Sequence, residues 1–254
     1  MSDVVLSVHN LSKSFSGLKA VNDISFDLRK EEIMGLIGPN GSGKSTTFNL
    51  ISGILPADTG SVKVYGTEVI HSPPHKINSL GLSRTFQNTR LWRELTVLEN
   101  LLIAPKKQIG ASILNAFNPW QYKKQEEELI EKAYTILKLL EIDHMAENYA
   151  SELSGGQSKL VDIGRLLMSD ANILMLDEPV AGVAGPLTEK IFQMLKKLRN
   201  ELSLTIVIIE HNMDFILRKG IDHVVVMANG TEILNGTPED VRKSQDVIDA
   251  YLGE

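Results

Sequence analysis

The 254-residue chain contains no cysteine, which excludes a disulfide framework, a thiolate zinc site and a cysteine nucleophile. It has no excess of basic residues either: 26 Lys and Arg stand against 32 Asp and Glu, a net charge of −6. A non-specific nucleic-acid binder needs a basic footprint, so no nucleic-acid partner is expected. No apolar run approaches the roughly 18 residues of a membrane span. Leu204–Ile209 is among the strongest, and that is the length of a strand. The opening MSDVVLSVHNLSKSF lacks the basic start and continuous apolar stretch of a signal peptide. Internal repeats and low-complexity segments are missing too. The expectation is a cytoplasmic protein that, if it works at a membrane, docks on something already there.

What is present is ordinary for a folded domain. Hydrophobic residues make up 43% and charged residues 23%, ample for the core of one large domain or two small ones. Short β-branched runs alternate with helical spacing. Ile33–Ile37, Ile173–Leu176, Leu204–Ile209 and Val224–Met227 read as buried strands of a mostly parallel sheet. Helical patterns follow the first three at Lys44–Ser52, Pro186–Glu201 and Met213–Arg218, so the fold class expected is α/β with helices on both faces of the sheet. Val4–His9, Val21–Leu28 and Ser61–Tyr65 suggest a small N-terminal antiparallel subsheet. From about Asn88 to Asp170 the strand signal gives way to helical spacing at Thr96–Ala104, Lys123–Leu140 and Ser154–Met168. The expected organisation is a catalytic core at 1–87 and 171–254 with a helical subdomain inserted at 88–170. Pro105–Trp120 reads as a long loop or short helical turn. The charged run from Lys123 reads as a solvated helix face, with Glu128 and Lys132 a favourable i,i+4 pair.

Directly after the strand Ile33–Ile37 comes Gly38-Pro39-Asn40-Gly41-Ser42-Gly43-Lys44-Ser45-Thr46. This is G-x-x-x-x-G-K-[ST] in the strand–loop–helix setting that the chemistry requires. Glycines let the backbone wrap so that successive N–H groups point at phosphate oxygens, and the helix that follows offers its positive end. Lys44 would reach the β- and γ-phosphates of a nucleotide, and Ser45 would be a ligand of Mg²⁺. An ordinary glycine turn would need no Lys-Ser pair. Ile173-Leu174-Met175-Leu176-Asp177-Glu178 places two carboxylates at the carboxyl end of a buried strand, the edge where open α/β sheets bind ligands. Asp177 would hold Mg²⁺, directly or through water, and Glu178 would orient or activate the attacking water. Together the two elements point to nucleotide-dependent phosphoryl transfer or hydrolysis, with ATP and Mg²⁺ as the ligands expected.

Leu153-Ser154-Gly155-Gly156-Gln157 precedes another helical pattern. Ser154 suits an N-cap, but two glycines in a first turn cost up to about 1 kcal/mol each relative to alanine. Their use is to let another group approach exposed N–H donors at a positive dipole end. Alone, Ser-Gly-Gly reads equally as a loop-to-helix turn. With the two preceding elements, the chain resembles the ATP-binding cassette family, whose LSGGQ signature is matched letter for letter at 153–157. The resemblance covers essentially the whole chain. It implies a head-to-tail dimer in which Ser154, Gly155, Gly156 and Gln157 of one subunit close over ATP held by the phosphate loop of another. It also implies that Gln87 touches Mg²⁺ and the water, that His211 is the switch histidine near the γ-phosphate, and that Phe15 stacks on adenine. Phe15 reads otherwise as a core residue between two strands. His71 and His75 are four apart, but Pro73-Pro74 between them argues against a helical metal pair. One position departs from the family. Six residues after Glu178 an aspartate is common, and here Ala184 stands there.

Arg84-Thr85-Phe86-Gln87-Asn88-Thr89-Arg90-Leu91-Trp92, then Leu95–Leu102, the long insert at about 105–122 and the ending Tyr251-Leu252-Gly253-Glu254 narrow the branch. They resemble the ATPase subunits of high-affinity branched-chain amino-acid importers of the LivG type. Urea, amide and lipopolysaccharide-export ATPases share much of the pattern, and a soluble non-transport cassette ATPase is the further alternative. The resemblance implies transmembrane permease subunits, a second cassette ATPase as heterodimer or homodimer partner, and a substrate-binding protein met indirectly. The place implied is the inner face of the plasma membrane. Leu91, Trp92 and Leu95 could form the apolar surface that receives the permease, or could simply pack the helical subdomain.

Overall fold

The computed structural model describes residues 3–106, 119–183, 185–211, 213–217 and 220–252. These divide into two compact units. One is drawn from 1–87, 172–181 and 188–254, the other from 88–171 and 182–187.

The first unit opens with a hairpin of two long strands, β1 (Val4–Phe15) and β2 (Leu18–Arg29). Alternation in β2 explains the pairing: Ile24, Phe26 and Leu28 are buried while the residues between them face outward. The strands β4 (Thr59–Val64) and β5 (Thr67–Glu68) continue an antiparallel sheet in the order β2-β1-β4-β5. Both β1 and β2 run further than the sequence pattern indicates, because Asn10 and Asp23 at positive φ absorb register shifts that let polar segments stay paired.

A second sheet of six strands carries the order β10-β9-β3-β8-β7-β6. Its members are β3 (Ile33–Ile37), β6 (Leu82–Arg84), β7 (Ile173–Asp177), β8 (Thr205–Glu210), β9 (His223–Ala228) and β10 (Thr231–Gly236). Every pair is parallel except β9 with β10. All five residues of β3 and β7 and all six of β8 are buried, as expected for strands covered on both faces. Met34, Leu36, Met175, Val207 and Ile209 join Leu6, Phe26 and Phe48 in one apolar cluster of this unit. Strands β6 and β10 have no counterpart in the sequence reading: β6 is three residues long, and β10 carries no clean alternation.

Because β3, β8, β7 and β6 run parallel and side by side, their carboxyl ends lie along one edge of the sheet. The registers Ile37 with Glu210 and Asp177 with Ile209 bring those ends level. That edge receives the loop after β3, the Glu178 turn, His211 after β8, and Gln87 after β6. The helices of this unit are α1 (Lys44–Ile51), α2 (Pro74–Ser79), α7 (Met213–Ile216), α8 (Pro238–Lys243) and α9 (Gln245–Leu252), with most of α6 (Gly185–Leu202).

The second unit holds α3 (Val97–Leu102), α4 (Pro119–Leu139) and α5 (Gly155–Met168). Thr96 and Glu99 form a reciprocal cap on α3. Leu101, Ala133, Leu137, Leu140, Ile163 and Leu167 are buried within it. At Gly164 a side chain would come within 3.1 Å of Leu140 and 3.4 Å of Leu101, so glycine there sets how closely these helices pack. Helix α4 begins at Pro119 rather than Lys123. The expected Glu128–Lys132 pair is not the one formed: Lys132 reaches Asp170 at 2.5 Å and the Met168 carbonyl at 3.3 Å. There it meets the negative end of α5, while Glu128 pairs with Lys124. The exposed i,i+4 pairs are Lys123–Glu127 and Lys124–Glu128. Ala184, most of the insert at 105–122, Arg218 and the final Gly253-Glu254 lie outside the described residues.

Candidate active site

The loop from Gly38 to Gly43 turns tightly after β3. Gly38 has φ +149°, and a Cβ there would stand 2.0 Å from the Met227 carbonyl oxygen; Gly43 has φ +102° with the Ala20 carbonyl 2.3 Å away. Only glycine fits at these two points. Gly41, at φ +75°, has open space on its Cβ side among the described residues. Lys44 starts α1 and folds its ammonium back over the loop, donating to the carbonyls of Gly38 at 2.7 Å and Pro39 at 2.8 Å and approaching Ser42 Oγ at 3.4 Å. Asn40, Gly41 and Ser45 are exposed, and Pro39 and Thr46 half-buried. The loop therefore presents a lysine and a hydroxyl at the amino end of α1, a place where an anion is favoured.

The acidic element sits two strands away. Asp177 ends β7 and is buried. Its N–H donates to Thr85 Oγ1 at 2.9 Å, and its Oδ2 accepts from Arg84 at 2.8 Å. Burial pushes the Asp177 carboxyl above the usual carboxylate range, against the lowering pull of Arg84. Glu178 follows in the left-handed region at φ +50°, its N–H held by the Ile209 carbonyl at 3.0 Å. Its carboxylate meets two of the residues singled out in sequence. Gln87 Nε2 donates to Oε2 at 3.1 Å, and His211 Nδ1 lies 3.5 Å from Oε1. Two residues from separate segments, after β6 and after β8, thus converge on one carboxylate. The next turn is tied down as well, with the Val180 N–H donating to Oε1 of the fully buried Glu210 at 3.0 Å.

Phe15 closes β1 and is 43% exposed, so it is not the core residue between strands that its position also allowed. Lys13 Nζ lies 5.6 Å from the ring centre and pairs with Asp58 at 2.6 Å.

In the second unit, Ser154 caps α5: its N–H donates to Gln157 Oε1 at 2.8 Å while its Oγ accepts from the Gln157 N–H at 3.3 Å. The two glycines between them differ. Among the described residues Gly155 has nothing near its Cβ position, whereas a Cβ on Gly156 would meet Leu187 at 2.3 Å. Trp92 is exposed in this unit, with Leu91 and Leu95 half-buried.

Sequence reasoning missed Arg84 and Thr85 as working residues, since both entered only as letters of a branch-specific segment. It missed Glu210 as the carboxylate that holds the turn after Glu178. Polar residues inside or at the end of apolar strands were the available signal. Ser45, Asp177 and Gln87 offer hydroxyl, carboxylate and amide oxygens, a hard donor set that suits Mg²⁺ and not a softer metal.

Comparison with known proteins places these features in a family. A profile described as ABC transporter matches residues 21–181, and one described as branched-chain amino acid ATP-binding cassette transporter matches residues 233–254. An Archaeoglobus fulgidus protein named "Probable branched-chain amino acid transport ATP-binding protein LivG" is 43% identical, covering 98% of this chain and 95% of its own. The Pseudomonas aeruginosa "High-affinity branched-chain amino acid transport ATP-binding protein BraF" is 38% identical over the full length of both. Among solved structures, the ADP conformation of an ATP-binding cassette of an ABC transporter superposes with a TM-score of 0.85 at 39% identity, covering 99% of each chain.

Proposed function

The chain belongs to the ABC transporter family of ATP-binding cassettes, and from that premise we propose that it is the ATP-hydrolysing subunit of an importer of branched-chain amino acids. The observation that carries the catalytic part is the convergence of Gln87 and His211 on the Glu178 carboxylate, at the sheet edge that also bears the phosphate loop. The importer assignment rests on the names of the relatives and on the C-terminal profile.

In this reading the loop Gly38–Gly43 surrounds the phosphates with backbone N–H groups. Lys44 exchanges the Gly38 and Pro39 carbonyls for the β- and γ-phosphate oxygens. Phe15 offers its exposed ring to adenine. Ser45, Asp177 and Gln87 would hold Mg²⁺, which would supply positive charge against the charge that develops on the phosphates. Glu178 orients the attacking water and accepts its proton, and Gln87 and His211 keep the carboxylate aimed. Catalysis is therefore positioning and electrostatic stabilisation.

Ser154, Gly155, Gly156 and Gln157 serve a second cassette in a head-to-tail dimer, closing over the ATP of the partner at the amino end of α5. That partner is a related ATPase chain, and the pair drives permease subunits fed by a substrate-binding protein. Among the described residues no helix is long and apolar enough to cross a membrane. Attachment to the inner face of the plasma membrane would run through the permease, with Trp92 on the receiving surface.

The test is capture of tagged Glu178→Gln protein from native membranes in Mg-ATP, with the co-purifying chains identified by mass spectrometry. Two permease subunits and a second cassette ATPase are expected. This chain alone as an ATP-dependent homodimer would remove the heterodimer, and ribosomal or DNA-repair partners would overturn the transport reading.

A further inference from the structure

Arg84 closes β6, three residues before Gln87. Its side chain is only 7% exposed, and a buried guanidinium is tolerated only when its charge and donors are matched. They are matched from several directions. Nη2 donates to Asp177 Oδ2 at 2.8 Å. Nη1 donates to Asn49 Oδ1 at 2.8 Å and Ser52 Oγ at 3.2 Å, both at the carboxyl end of α1. Nε donates to the Thr85 carbonyl at 3.1 Å. The guanidinium carbon lies 4.9 Å from the Phe86 ring centre and 5.6 Å from that of Phe48. A planar fork with stacking faces fits this place, and an ammonium does not.

The same helix carries Lys44 and Ser45 at its start and Asn49 near its end. One planar group therefore joins the phosphate-loop helix to the acidic end of β7. It occupies one Asp177 oxygen and leaves the second as a ligand. We propose that Arg84 is a positioning residue which fixes the Asp177 carboxylate relative to α1 and thereby sets the affinity of the site for a divalent cation. The proposal deepens the ATPase reading and rests on it. Lysine at 84 would keep the charge but offer a point donor on a flexible stem, able to serve Asp177 or α1 and not both at once. A change on Arg84→Lys is then not the trivial result of removing a cation that repels the metal.

The experiment titrates Mn²⁺ by electron paramagnetic resonance in the presence of ADP, and ADP alone in EDTA, on wild type, Arg84→Lys and the Asn49→Ala/Ser52→Ala double variant. For Arg84→Lys the half-saturating Mn²⁺ concentration rises about tenfold, the loss expected when a group that orients a metal ligand is replaced. The double variant moves in the same direction. ADP affinity in EDTA changes less than about twofold, because the loop and Lys44 hold the phosphates without the metal. Unchanged Mn²⁺ affinity in folded Arg84→Lys overturns the proposal. Equal losses of Mn²⁺ and metal-free ADP binding overturn it too, since they mark an arginine that only supports the fold. If Arg84→Lys does not fold, the double variant decides by the same two readings. Wild-type protein that binds neither ADP nor Mn²⁺ would instead bring down the ATPase reading itself.

Discussion

Alanine at the three glycines of the phosphate loop separates backbone demand from ligand demand. At Gly41, with a left-handed φ of +75°, a Cβ meets no neighbour among the described residues, so only backbone strain of about 1–2 kcal/mol applies. Reduced freedom of the unfolded chain returns roughly 0.4–1 kcal/mol of that. The net loss is about 1.5 kcal/mol or less, and the melting temperature falls by no more than about 3–6 °C for a chain of this size. At Gly38 the new Cβ would sit 2.0 Å from the Met227 carbonyl oxygen and 2.7 Å from Ser42 Oγ. Neither a strand carbonyl nor the loop can yield cheaply, and strain at φ +149° adds to the overpacking. A cost of about 3 kcal/mol or more follows, a drop of roughly 6–12 °C. Gly43, with the Ala20 carbonyl at 2.3 Å, belongs with Gly38. Thermal unfolding of the three single variants, followed by circular dichroism without nucleotide, should rank Gly38→Ala and Gly43→Ala well below Gly41→Ala. Wild-type melting for Gly38→Ala, or equal losses at all three, would refute the packing argument.

Two further outcomes follow from the second unit. Gly156→Ala should cost about 1 kcal/mol against the movable end of Leu187. Adding Leu187→Ala should recover part of it, whereas Gly155→Ala stays within about 0.5 kcal/mol; a chemical-denaturation cycle showing no coupling between 156 and 187 would contradict this. Asp162 is the second case: burial raises its carboxyl to about 6, against the pull of Arg165 and Arg90. The folded chain then binds this proton more tightly than the unfolded chain does, so the group favours folding at low pH. That contribution is lost as pH rises from about 4 to about 6, with a ceiling on the order of 3 kcal/mol. Melting of Asp162→Asn relative to wild type should therefore improve between pH 4 and pH 7, and a difference independent of pH would count against the buried carboxyl.

The residues that fold the site were more legible in sequence than those that steady it. The runs Ile33–Ile37 and Ile173–Leu176 are apolar throughout, and buried parallel strands leave that mark. The loop between β3 and α1, and the carboxylates at the end of β7, could therefore be placed by letters alone. Strand β6 could not, because three residues carry no period. Without β6 nothing in the sequence brings Arg84 and Thr85 to Asp177, although each bonds directly to it. Phe15 was ambiguous for a related reason, since a strand-end aromatic reads the same whether the hairpin tip covers it or exposes it. The capping of α5 by Ser154 and Gln157 was half legible: the serine was an evident N-cap, but the return bond from glutamine requires the helix to start at Gly155.

The most direct test of the catalytic assignment compares Mg-ATP binding with single-turnover hydrolysis in wild type and Glu178→Gln. Glutamine preserves the size of the side chain and an acceptor for Gln87 while removing the base. ATP affinity should stay near that of wild type, and the hydrolysis rate should fall by about 10²–10⁴, the usual contribution of a positioned general base. Hydrolysis at a near-normal rate with ATP still bound would contradict the account, because the carboxylate on which Gln87 and His211 converge would then not be the group that activates water.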